Sequence, residues 1–149
     1  MADPVTGIKN ILKTNWVPAN TSSVTPSFST GWYDYKNASP QISITDPEEG
    51  AVSSGPTGYF GIAIAGAPAQ YWLGSVDVNV WLTREGQAIN PKLLRDQFVA
   101  EIKRLIRANY DEVTDLDFIV WRGGFSRVEA DKKPAVYRYA GTVGYGYLD

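Results

Sequence analysis

The sequence predicts an α+β domain in which a mostly antiparallel sheet of about four to five strands carries two helices packed on one face. Three observations lead there. Two stretches repeat apolar residues at helical spacing behind a capped proline, and Tyr71 to Thr83 alternates as a half-buried strand does. The C-terminal run from Ala135 to Leu148 alternates again. The expected order is helix, three strands, helix, two strands, and runs of strands between few helices favour antiparallel pairing. A chain of 149 residues, 44% of them hydrophobic, suits one domain over 1–149 with a real core.

The first helix is expected over Pro4 to Asn15. Asp3 can cap its free amides, proline at the first position loses no needed hydrogen bond, and Val5, Ile8, Ile11 and Leu12 form the stripe. From Trp16 to Pro40 the chain is rich in Ser, Thr, Asn and Pro, and Val17, Val24, Phe28, Trp32, Tyr33 and Tyr35 follow no helical period. This reads as a long irregular or extended connection. Gln41 to Thr45 alternates as a strand and Asp46-Pro47-Glu48-Glu49-Gly50 is expected to end it, leaving a flexible loop at 50–58. Tyr59 to Ala65 reads as a further strand.

In Tyr71 to Thr83 the residues Val76, Val78, Val80 and Leu82 face one way, and Asp77, Asn79, Trp81 and Thr83 the other. The second helix, Pro91 to Asn109, opens on Asn90-Pro91 and carries Leu94, Phe98, Val99, Ile102, Leu105 and Ile106; Arg95, Lys103, Arg104 and Arg107 lie mostly off that stripe and read as a solvated face, with an electrostatic contact to a partner subunit as the sharper alternative. Asp117 to Trp121 is a nearly continuous apolar run, expected of a strand covered on both faces. Gly123-Gly124 turns or bulges the chain, Phe125 to Ala130 extends the ladder, and Asp131 to Pro134 turns. In the final strand Tyr137, Tyr139, Val143, Tyr145 and Tyr147 share one face, while Ala140, Gly144 and Gly146 leave the other nearly bare. Packing of the second helix on that bare face is the simplest expectation; the close approach of a neighbouring subunit is the alternative.

Thr142 to Gly146 spells TVGYG, the signature of a potassium-channel filter. A filter needs flanking helices of about 20 mainly apolar residues. The longest weakly polar stretch, Tyr59 to Leu73, is shorter and is broken by Gly61, Gly66, Pro68 and Gln70. TVGYG therefore reads as strand, and no membrane partner is expected. The absence of cysteine and histidine removes disulfides, thiolate nucleophiles, zinc sites using sulfur and any Ser-His-Asp or Cys-His mechanism. Fourteen basic against sixteen acidic residues, a net charge of -2, give no overall case for nucleic acid. The acidic cluster Asp111, Glu112, Asp115 and Asp117 lacks the spacing of a calcium loop, and Asp46, Glu48 and Glu49 have the standing of any acidic turn. No phosphate-cradling motif occurs. No catalytic residue, metal or cofactor is assigned. The N-terminus has no basic start and no apolar signal region, so synthesis in a cytoplasm is expected.

The whole-chain pattern resembles the tail terminator, or tail-completion, proteins of tailed bacterial and archaeal viruses. The stretches that carry the resemblance are DPVTGIKNILKTNW, the strand SVDVNVWLT, the helix PKLLRDQFVAEIKRLIRAN and the final VYRYAGTVGYGY. Asn20-Thr21 and Tyr33-Asp34-Tyr35 are similar to small neck proteins of archaeal tailed viruses in particular. The resemblance implies a structural, non-enzymatic virion protein: a ring of about six subunits that caps the tail tube and presents a surface to the head connector, closed by heterologous contacts. It also implies that the loop bearing Ser53 and Ser54 and the turn bearing Lys132 and Lys133 project toward neighbours. Tyr71 and Trp72 join them as aromatic anchors beside that loop, and Tyr145 and Tyr147 complete the candidate subunit contacts. Other readings are a head-tail adaptor or tail-tube-like subunit, and a small ligand-binding α+β module.

Overall fold

The computed structural model describes residues 3–34, 36, 40–52, 63–64, 67–68, 70–83, 89–129 and 135–149. Helix α1 (Pro4–Asn15) starts where Asp3 accepts a hydrogen bond from the Thr6 amide at 3.1 Å, and hydrogen bonding from the Thr6 backbone, then from its side chain, holds the Asp3 carboxyl below its ordinary range. Helix α2 (Pro91–Ala108) starts the same way, with the Asn90 side chain accepting from the Lys92 amide at 2.9 Å. Ile8 and Leu12 of α1 and Leu94, Phe98, Ile102, Leu105 and Ile106 of α2 enter one core. Arg95 departs from the expected solvated face and is buried.

Seven strands follow the chain order around these helices: β1 (Ser27–Ser29), β2 (Gln41–Val52), β3 (Ala63–Ile64), β4 (Ala67–Pro68), β5 (Tyr71–Thr83), β6 (Phe118–Glu129) and β7 (Val136–Leu148). β3 and β4 pair with each other, and the main sheet has the order β1-β2-β5-β7-β6. The α+β class holds. The sheet is mixed, because β1 joins β2 in parallel while the other three pairings are antiparallel.

The connection from Trp16 to Pro40 is more built than an irregular segment. A short 3-10 helix (Pro18–Thr21) is followed by Ser22 and Ser23 at φ 53° and 63°, which reverses the chain. Asn20 donates to Glu101 Oε2 at 2.9 Å and Ser22 donates to Gln97 Oε1 at 2.7 Å, so α2 holds the turn from the side. Trp16 then stands edge-on to both Phe98 and Phe28, with ring centroids 5.4 and 5.5 Å away.

Two strand readings are corrected. Strand β2 does not end at Thr45: its pairing slips between Thr45 and Glu48 and then continues to Val52 opposite Tyr71. A bulge absorbs one extra residue there, and Pro47 is tolerated because bulged positions need not donate to the ladder. Strand β6 is not covered on both faces; it is the sheet's edge, bulged between Trp121 and Gly123, with Gly123 at φ 94°. Gly124, opposite Gly141, has no room for a side chain, because a Cβ there would overlap the Ala140 carbonyl. Since a backbone group cannot rotate away, Gly124→Ala is expected to lower stability by about 1–3 kcal/mol, as overpacking does. Equilibrium denaturation checks this; an unchanged midpoint would contradict it.

The sheet face that meets the helices also differs from expectation. Val76 pairs with Val143 and Gly74 with Tyr145, so the even-numbered residues of β5 share a face with the odd-numbered residues of β7. Val76, Val78, Val80 and Leu82 lie in the core with Val143, Tyr145 and Tyr147. The helices therefore pack on the aromatic face of β7. Its glycine face looks the other way, where the side chains of Arg122 and Phe118 occupy the space a Cβ would need at Gly144 and Gly146.

Candidate subunit-contact surface

Three regions of this frame could engage another molecule. The first lies at the end of the sheet where β2, β5 and β7 run out together. Tyr71 and Trp72 are half-buried there, paired with Leu148 and Tyr147 across the strands. The bulge at Pro47 shifts β2 by one residue, which turns Glu49 onto the helix face beside Gly74 and Tyr145. Its carboxylate accepts from the Tyr145 hydroxyl at 2.6 Å and from the Tyr147 hydroxyl at 2.9 Å. The two rings stack at 6.3 Å, and Gly74 is the gap into which the Tyr145 ring extends.

Burial, followed by the hydrogen bond and charge of Glu49, raises both phenols, Tyr147 to about 12 and Tyr145 further. Tyr145 and Tyr147 were expected to contact a neighbouring subunit; the chain's own core holds them instead, Tyr145 with no exposed surface. Burial also raises the Tyr71 phenol, followed by a hydrogen bond to Asp117 and its charge. Ser53, Ser54, Lys132 and Lys133 lie outside the described residues.

The second region is the sheet face away from the helices. Trp81 is buried there, Trp32 lies edge-on to it at 5.1 Å, and Tyr33 stands at 5.5 Å. Arg138 sits over both indoles, 4.9 Å from Trp32 and 5.5 Å from Trp81, while its Nη2 donates to Asn79 Oδ1 at 2.8 Å. Gln41 donates to the Asp34 carbonyl at 2.7 Å and accepts the Asp34 amide at 2.9 Å, which pins this strap to the sheet. Sequence reading assigned Arg138 no role; its parity on β7, opposite Trp81, was the available signal.

The third region is the open side of β6. Val120, Phe125 and Val128 are 44%, 60% and 42% exposed along one strand. Between β6 and the C-terminal half of α2 runs a cavity of about 320 Å³ lined by Lys103, Ile106, Arg107, Tyr110 and Trp121 among others. Lys103 and Arg107 are exposed and one helical turn apart. The sequence offers these two cations as solvated charge or as an electrostatic contact with a partner subunit, and nothing local says which strand lies beside them.

Among the described residues no group of three or more acidic side chains converges as a metal site would, and no helix is long and apolar enough to cross a membrane. The chain matches no family model and no curated protein sequence.

Proposed function

We propose that the protein is a structural virion component, a tail terminator whose subunits close into a ring that caps the tail tube and meets the head connector. Its site of action is then the virion neck, and its partners are further copies of itself, the tube and the connector. The observation that carries the reading is the asymmetry of the sheet. One end is the long strand β6 with three exposed apolar residues, and the other is β2, which β1 covers only from Gln41 to Ser43. Two different ends on one sheet suit heterologous contacts, which close into rings when the rotation allows. The order of elements that resembles tail terminators supports the same reading.

The test is the mass in solution by light scattering across concentrations, with electron micrographs of any large fraction. A closed ring of about six subunits is the expected result. The α2–β6 cavity favours one other reading, a small ligand-binding module, since such sites are concave and mostly apolar with a few polar groups. A dimer at all concentrations with a small molecule bound in that cavity would overturn the ring.

A further inference from the structure

We infer that the open edge of β6 and the cationic groove beside it receive the acidic stretch of β2 from a second copy of this chain, extending the sheet from subunit to subunit. This rests on the ring reading above and names its contact. Three features of the two sheet ends support it.

The first is that, among the described residues, both edges are open. Among the described residues, β2 has no strand on its outer side beyond Ser43, and β6 has none along its length. The Tyr110 carbonyl takes the Ile119 amide at 2.7 Å, so the open edge of β6 runs from Val120 onward. Unpaired strand edges of this length are ready templates for another strand.

The second is charge. The β2 edge carries Glu48 and Glu49, both exposed, whereas the groove along β6 carries Lys103 and Arg107. Glu49 lies on the helix face after the bulge, the face on which a neighbour's α2 would stand. Its two tyrosine bonds leave acceptor capacity on the carboxylate for a cation. Opposite charge on two ends of one sheet favours head-to-tail contact and disfavours pairing of identical edges.

The third is direction and level. β2, β5, β7 and β6 alternate in direction, so β2 and β6 are antiparallel to each other within one chain. A copy rotated about an axis along the strands keeps that relation, which gives the more stable antiparallel pairing at the junction. Glu48 is level with Ser75, Gly144 and Val120 across the sheet. Without any shift along the strands, Glu48 of one copy therefore faces the exposed Val120 of the next; the neighbour's β1 then stands level with Phe125 to Arg127, so the pairing is confined to residues 44–48 of β2 and 120–124 of β6.

The chain has no cysteine, so Glu48→Cys and Val120→Cys can be introduced singly and together. Directly opposed strand residues have Cβ atoms about 4.5–5.5 Å apart, close enough for a disulfide with a small adjustment. Under mild oxidation the double variant is expected to give a covalent ladder on non-reducing gels, and neither single variant should. In parallel, Lys103→Glu with Arg107→Glu should weaken self-association at least about tenfold at low salt, and adding Glu48→Lys should restore part of it. Circular dichroism confirms that these surface variants fold.

A ladder that ends in a closed ring supports both the contact and the ring. A ladder running into open filaments supports the contact and overturns the ring. Rings that form without a ladder overturn the contact alone. Strict monomers in every variant, or a groove that takes an added acidic peptide without any self-association, overturn the inference.

Discussion

Replacing Phe98 by Ala is expected to cost about 3–5 kcal/mol, the range for deleting a buried aromatic ring. Phe98 has no exposed surface, and it meets Trp16 edge-on. Trp16 in turn stands on Phe28 of β1 and donates its indole N–H to Thr21 Oγ1 at 3.3 Å. The ring therefore joins three parts that are far apart in sequence: the second helix, the end of α1 and the strap leading to β1. Its loss leaves a hole bounded by Trp16, which cannot collapse without moving the turn that Asn20 and Ser22 tie to α2. Against a domain stability of about 5–15 kcal/mol the change is large, and a fall in Tm of roughly 10 °C follows from the usual entropy of unfolding. Amide exchange should quicken first in residues 16–29. Leu93→Ala is the control, since Leu93 is 53% exposed and should change little. A Phe98→Ala protein that melts with the parent would mean that this aromatic junction does not hold the strap.

Both helices and β5 were legible because their periods are local. An apolar stripe with a capped proline specifies a helix without reference to anything distant, and α1 ends at Asn15 as its stripe does. The parity of β7 was legible too, but parity says only which residues share a face. Which face meets the helices depends on register, and the pairing of Val76 with Val143 decides it. Pro47 misled for a related reason. Proline reads as a strand terminator on its own, yet a bulge accommodates it, and that requires a partner strand no local window contains. The bulge also hid Glu49, since strict alternation from Ile42 would put it on the opposite face. The apolar run Phe118 to Trp121 resembled a central strand because it serves two neighbours: Ile119 and Trp121 turn to the core, and Val120 remains on the open side. Lys103 and Arg107 became notable only once the topology set an unpaired edge beside them.

On raising the pH, the fold is expected to hold through the ordinary tyrosine range and then to lose stability between pH 10 and about 12. The phenol of Tyr147 moves from 10.0 to about 12 on folding, first through burial and then through the hydrogen bond and negative charge of Glu49, with Asp149 adding a little. Tyr145 moves further for the same leading causes. A value raised in the folded state means that the native protein keeps its proton where the unfolded chain has lost it. The stabilisation is therefore fully present below pH 10 and is lost as pH rises through the folded value. For Tyr147 alone, about two pH units correspond to roughly 3 kcal/mol. With Tyr145 added, ionisation of the pair should coincide with unfolding rather than precede it. Phenolate absorbance followed alongside near-ultraviolet circular dichroism reads this directly. The absorbance of Tyr145 and Tyr147 should appear in a steep step together with loss of tertiary signal. Glu49→Gln separates the causes. Removing the charge should lower the Tyr147 value and move the step to lower pH, but not to 10, because burial, the largest cause, remains. If all nine tyrosines titrated together near pH 10 in a protein that stayed folded, the Glu49 carboxylate would not be holding these two hydroxyls in the core.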